Sequence, residues 1–149
     1  VAYTVIVDRQ DELGRWIANR NDHKYIPDYG TYIGLERDGK IIAVAGFDTY
    51  YGESIQTHIA IDGRINREFI WFIMYYPFDQ LGVKKVIAPI RSNNEKSIRF
   101  AKHLGFELEA IIKHVYPNNV DLLFFSALNK NMKYDKVQSV TDDSVLMCD

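Results

Sequence analysis

The stretch Asn94-Glu95-Lys96-Ser97-Ile98-Arg99-Phe100-Ala101-Lys102-His103-Leu104-Gly105-Phe106 leaves little freedom of local structure. Ser92 and Glu95 have the S-x-x-E spacing of a capping box, which predicts a helix beginning near residue 93. Ile98, Ala101 and Leu104 fall on one helical face, and Gly105 suits the left-handed residue that closes a helix. Phe106 then opens an extended segment. The run Lys85-Val86-Ile87-Ala88-Pro89-Ile90 just upstream reads as a strand. The unit is therefore strand, polar turn, helix, glycine, strand.

The rest of the chain supplies sheet and helix around this unit. Tyr3 to Val7 alternates and is rich in β-branched residues, so it reads as a first strand. Asp8 or Asp11 can cap a helix that carries Leu13, Trp16 and Ile17 on one face, and Asn21 to Gly30 reads as a loop or short helix. Thr31 to Glu36 and Ile41 to Phe47 form a hairpin about Asp38-Gly39, and Tyr50-Tyr51-Gly52 leads into a strand from Glu53 to Ile61. A helix from about Asn66 to Tyr76 is apolar nearly all round, as a helix buried on several sides must be, and Pro77 ends or kinks it. Strands over 83–89, near 106–115 and over 120–128 complete the order, with Pro117-Asn118-Asn119 as the last turn.

Composition narrows the class. A chain of 149 residues with 47% hydrophobic and 26% charged residues makes one globular domain, expected over residues 1–128, followed by a polar tail over 129–149 that has little reason to order. Net charge is −2, which counts against nucleic acid as a partner and against an anionic membrane surface. No run reaches the length of a membrane span and the N-terminus has no signal-peptide pattern, so a cytoplasmic protein is expected. The one cysteine, Cys148, excludes an intrachain disulfide, and the four histidines have no ligand spacing, so no metal is expected.

The helix unit resembles the acetyl-CoA-binding half of the GNAT N-acyltransferases. Its N-x-x-S-x-R-x-x-x-x-L-G-F pattern, carried by Asn94, Ser97, Arg99 and Leu104-Gly105-Phe106, is similar in particular to the branch of ribosomal-protein N-terminal acetyltransferases. Arg67-Glu68-Phe69 through Tyr76-Pro77-Phe78 to Lys85-Val86 resembles the helix and strand before it, and Phe106 to Ala110 the G-F-x-x-E-G after it, with Ala110 for the usual glycine. The convincing part covers roughly residues 55 to 115. What the resemblance implies is a mixed α/β fold, α+β in element order: a twisted mixed sheet of six or seven strands, helices on both faces, and one splayed parallel strand pair.

The resemblance also implies where a cofactor lies. The arm of acetyl-CoA would sit where the strand ending at Ile61 and the strand ending near Ile90 part, against backbone groups of Ile59, Ala60 and Ile61. Its pyrophosphate would rest at the start of the 66–76 helix, by Gly63, Arg64, Asn66 and Arg67, and its arm would meet Asn94 and Ser97. The loop departs from the family's R/Q-x-x-G-x-G/A pattern: Asp62-Gly63-Arg64-Ile65-Asn66-Arg67 keeps a single glycine, with two arginines to supply charge. Asn94 and Ser97 can equally serve only as helix-start residues.

Acetyl transfer to an amine needs a base. On the 53–61 strand Ser54, Gln56, His58, Ala60 and Asp62 share a face, which offers His58, with Glu53 nearer the hairpin. The bland alternatives are a hydrogen-bonded strand histidine and a solvated glutamate. The tyrosine that many relatives use as an acid is here Ala101. The expected activity is direct transfer from acetyl-CoA to a small-molecule or peptide amine. The alternatives are a non-catalytic binding module of the same fold, or an acyltransferase for modified nucleic-acid bases served by Lys84, Lys85, Arg91 and Lys96. The run Leu122-Leu123-Phe124-Phe125 offers either core or the seam of a homodimer.

Overall fold

A computed structural model describes residues 1–129. The elements are β1 (Tyr3–Ile6), α1 (Gln10–Arg20), β2 (Thr31–Arg37), β3 (Lys40–Asp48), β4 (Ser54–Ile61), α2 (Arg67–Tyr75), a π-helical turn (Tyr76–Gln80), β5 (Lys85–Arg91), α3 (Glu95–Leu104), β6 (Glu107–Tyr116) and β7 (Val120–Leu128). They build the expected mixed α/β fold, a seven-stranded sheet in the order β1-β2-β3-β4-β5-β7-β6, antiparallel except between β4 and β5. The polar tail and Cys148 lie outside the described residues, save Asn129. Among the described residues no helix is long and apolar enough to cross a membrane.

Alternation along the strands sorts side chains into two cores. On one side Leu13 and Ile17 of α1 pack with Ile6, Ile41 and Val44, and Trp16, Tyr32 and Ala60 close the cluster. In the larger core Phe69, Ile70, Ile73 and Met74 of α2 join Leu35, Ile55, Val86, Phe100 and Phe125. Fully burying each such side chain contributes roughly 1.5–3 kcal/mol. The hairpin turn at Asp38 (φ 51°) and Gly39 (φ 84°) has the two positive φ angles of a type I′ turn, as its sequence predicts.

Two local expectations are corrected. Neither Asp8 nor Asp11 caps α1, since Arg9 stands at that position without a side-chain cap. Ser92 is not half of a capping box: its hydroxyl accepts from the Asp121 amide at 2.9 Å, tying the turn to β7. The cap of α3 is Asn94, whose Oδ1 accepts from the Ser97 amide at 3.2 Å. As expected, the α-helix ends just before Pro77, at Tyr75, and the chain continues as a π turn in which the ring lies early. Gly105 closes α3 at φ 98°, as expected.

The junction of β4 and β5 sets up everything that follows. Their pairing stops after Ser54↔Lys85, Ile55↔Val86 and Gln56↔Ile87, although β4 stays paired to β3 as far as Ile61 and β5 to β7 as far as Arg91. Backbone parity explains the break. The bonds Asn129 N→Lys84 O and Ser92 N→Asp121 O put the even residues of β5 on the β7 side, so the odd ones face β4. The next rung would need the residue-89 amide to donate to β4, and Pro89 has none. On β4 the bond Asp62 N→Ile42 O assigns even residues to β3, which turns the amides and carbonyls of Ile59 and Ile61 toward the gap.

Candidate active site

The gap between the parted strands opens into a cavity of about 440 Å³. One wall is β4 with Thr57, His58 and Ile59, and the other is Ala88, Pro89 and Ile90 of β5 backed by Phe100, Ala101 and Leu104 of α3. Ile73 and Met74 of α2 close one side, and Asp22 and His23 from the segment after α1 close the opposite one. A second hollow of about 150 Å³ shares Ile59, Asn94, Ser97 and Phe100 with the first and continues it along Ala60 and Ile61. Together they make one groove that follows the unpaired edge of β4.

The sequence-derived residues distribute along this groove unevenly. His58, Ile59, Asn94 and Ser97 line the main cavity, and Ala60 and Ile61 line its continuation. The backbone of Ala60 is committed to β3 opposite Val44, so only Ile59 and Ile61 offer free amides there. Gly63, Arg64, Asn66 and Arg67 form the turn into α2, held by the fully buried Ile65. Asn66 Oδ1 caps that helix by accepting from the Phe69 amide at 3.0 Å. Glu53 lies apart from the cavity, on the hairpin, where it pairs with Lys84 at 3.0 Å with both side chains well exposed. Lys84 and Lys85, two of the four cations considered for a basic groove, are each paired to a carboxylate, Glu53 and Glu109.

Electrostatics separate the two ends of the groove. At the α2 end the Asp62 carboxylate would oppose an anion, but Arg20 Nε holds it at 2.8 Å while stacking over Trp16 at 3.5 Å. The buried Nε of Arg67, in the first turn of α2, has no hydrogen-bond partner among the described residues. A helix start, an unpartnered guanidinium nitrogen and a neutralised aspartate fit a pyrophosphate. The free β4 edge beside it fits an extended amide-bearing arm. The residues present therefore suit acetyl-CoA.

At the other end lies a group of titratable side chains that the sequence reading found only in part. His58 Nε2 is 3.3 Å from Asp48 Oδ2, and the Asp48 Oδ1 accepts from Thr49 Oγ1 at 2.9 Å. The His23 ring stands edge-on to His58 at 6.4 Å between centroids. Burial pushes the Asp48 carboxyl up, yet the hydrogen bond and charge of His58, the Thr49 hydroxyl and the charge of His23 outweigh it. The group ends below the usual carboxylate value. Nearby Tyr32 is pushed up, first by burial and then by the charges of Asp48 and Tyr29. The residue paired with His58 across the ladder is Gly46, where a Cβ would meet the Tyr32 ring at 3.0 Å. Asp48 was missed because its role needs the β3–β4 register, although a carboxylate two residues beyond a strand histidine's partner is the signal to seek.

The family model described as an acetyltransferase (GNAT) domain matches residues 2–121. Solved structures share the fold. Mutant forms of the spermidine/spermine N-acetyltransferase SpeG from Vibrio cholerae align at 18% identity over 91% of this chain and 98% of theirs, with a TM-score of 0.69. The yncA protein of Salmonella typhimurium, solved with acetyl-CoA, aligns at 16% identity over 87% of this chain and 95% of its own, TM-score 0.68. An N-acetyltransferase from Staphylococcus aureus Mu50 gives 16%, 87% and 99%, TM-score 0.65. No curated protein matches the sequence significantly.

Proposed function

The chain belongs to the GNAT acetyltransferase family, which takes its acetyl group from acetyl-CoA, and on that premise we propose that His58 is the base that readies an alkylamine acceptor. The observation that carries this reading is the imidazole of His58 in the wall of the wedge cavity, beside a carboxylate. Imidazole is the side chain suited to proton exchange at neutral pH, so it can take a proton from an ammonium group and release it again. Acetyl-CoA supplies a thioester whose C–S bond breaks as the amide C–N bond forms, and whose sulfur accepts the last proton.

The protein's own groups do the rest. The free amides of Ile59 and Ile61 face the gap and would polarise a carbonyl lying there. Asn94, whose oxygen caps α3, keeps its amide NH2 for the arm, and Arg67 with the start of α2 would hold the pyrophosphate. Ala101, 6% exposed, contributes shape only, so position 101 supplies no acid for the leaving sulfur. At the hairpin end Tyr29, Tyr50 and Tyr51 stand well exposed, and aromatic faces attract an alkylammonium. That supports a small polyamine-like acceptor, which is also what the SpeG neighbours act on by name. The pattern from Asn94 to Phe106 favours a second reading, in which the acceptor is a protein N-terminus.

Thermal unfolding with and without acetyl-CoA tests the cofactor site. Ligand at about a hundred times its dissociation constant adds about 2.7 kcal/mol, a rise of roughly 5–11 °C for a domain of this size. Acetylation of spermidine, of lysine methyl ester and of a dipeptide, each followed by thiol release, then sorts the acceptors. An absent thermal shift would overturn the cofactor reading.

A further inference from the structure

We propose that Asp48 is the positioning residue of His58: it holds the imidazole proton on Nε2 and leaves the lone pair of Nδ1 as the basic atom of the site. The inference rests on the reading of His58 as base and extends it to a residue ten positions away, at the end of a different strand. Its first support is geometric. β3 and β4 pair Gly46 with His58, so no side chain stands directly across the ladder from the imidazole. The Tyr32 ring lies over Gly46 instead, and the imidazole meets Asp48, whose Oδ2 lies 3.3 Å from Nε2. Asp48 is itself held, since Thr49 Oγ1 donates to its other oxygen at 2.9 Å, and Thr49 adopts φ 53° to do so. With 17% of its side chain exposed, Asp48 acts in a medium where a charge pair is worth more than in water.

The chemistry follows from that contact. A carboxylate accepts only, so the imidazole nitrogen facing it must be the donor, and the neutral ring is left with its acceptor pair on Nδ1. When an acceptor ammonium gives up a proton, the N–H bond breaks, its electron pair stays on the amine nitrogen, and an Nδ1–H bond forms. The imidazolium is then stabilised by Asp48 until the proton leaves for solvent. No oxidant, reductant or further reactant is needed.

The groups in contact with the His58 ring are Asp48 of β3 and His23 of the segment after α1. Arg20 of α1, Asp22 and Arg91 of β5 line the same cavity, and Tyr32 of β2 is close to Asp48. Arg20 is tied to Asp62, and Asp48 is the carboxylate at ion-pair distance from the ring.

Nitrogen-15 NMR of the histidine side chains tests the proposal without an acceptor, with the His58 signals identified by their loss in His58→Gln. The wild-type ring is expected as the Nε2–H tautomer, and Asp48→Asn is expected to shift it toward a mixture of the two tautomers, as loss of an accept-only carboxylate does. An Nδ1–H tautomer in the wild type would overturn the proposal, and that arm stands even if the variant does not fold. So would an unchanged tautomer population in Asp48→Asn. Thiol release with spermidine separates this from the reading beneath it. Wild-type rates in His58→Gln would remove the base itself, whereas a slowed His58→Gln with an unmoved tautomer in Asp48→Asn would remove only Asp48. Asp48→Asn placed on His58→Gln is expected to cost nothing more, and an additive loss would mark Asp48 as merely structural.

Discussion

The two walls of the wedge are built on opposite plans. The β4 wall carries groups that exchange protons and hydrogen bonds: Thr57, His58 and the free amides of Ile59 and Ile61, with Asp48 behind. The wall of β5 and α3 is Ala88, Pro89, Ile90, Phe100, Ala101 and Leu104, and at its rim Arg91, Asn94 and Ser97 bring polar atoms. One wall is arranged for charge, the other for shape. The difference teaches where tolerance to substitution should lie: changes on the first wall should appear in turnover, and changes on the second in stability or affinity.

The largest expected effect on the chemical wall is that of His58→Gln, which should lower kcat by about 10²- to 10⁴-fold, the usual contribution of a general base. The thermal shift given by acetyl-CoA should survive, and losing both together would blur the contrast. On the shape wall Phe100→Ala, at a side chain 5% exposed, should cost about 3–5 kcal/mol in urea unfolding, with the residual folded enzyme keeping its kcat. A fall in kcat at full occupancy would mean that this wall also does chemistry.

Smaller changes sharpen the boundary. Pro89→Val restores an amide on the side of β5 that faces β4, so the ladder can gain the rung it lacks and narrow the wedge. Affinity for acetyl-CoA should drop several-fold by calorimetry while stability holds or rises. Asn94→Ala removes the cap of α3, worth about 1 kcal/mol, and should also weaken acetyl-CoA binding. Unchanged affinity there would leave Asn94 as a cap alone.

The smallest effect is on pH. The folded state holds the Asp48 carboxyl below its ordinary value, so its contribution is present above about pH 3.9, the unfolded value. That contribution is lost as pH falls from there through the lower folded value. Melting temperatures of Asp48→Asn and wild type should therefore converge as pH drops below 4, and a constant difference would contradict the assignment.

What could be read in advance divides along the same line. The α3 unit, the Asp38-Gly39 hairpin and the alternation of β4 are local, written in residues a few places apart, and the structure holds all three. Ser92 misled because its hydroxyl spends itself on the Asp121 amide, a partner on a strand far along the chain. Asp48 and the consequence of Pro89 both depend on register and parity between strands, which no single segment of sequence displays. Glu53 looked eligible beside His58 because spacing along a strand says nothing about which end of it borders the cavity.

Between β1–β4 and β5–β7 the sheet is joined by three residue pairs only, with α2 packed across the join. The larger core runs beneath both halves, so these two plates are held by one apolar layer as well as by those rungs. A ligand lying in the gap would touch both plates, so the slowing of amide exchange on binding should spread through β3 and β7 alike, well beyond the residues it contacts. A substrate arm lying there would finish the sheet, taking the row that β4 and β5 leave open.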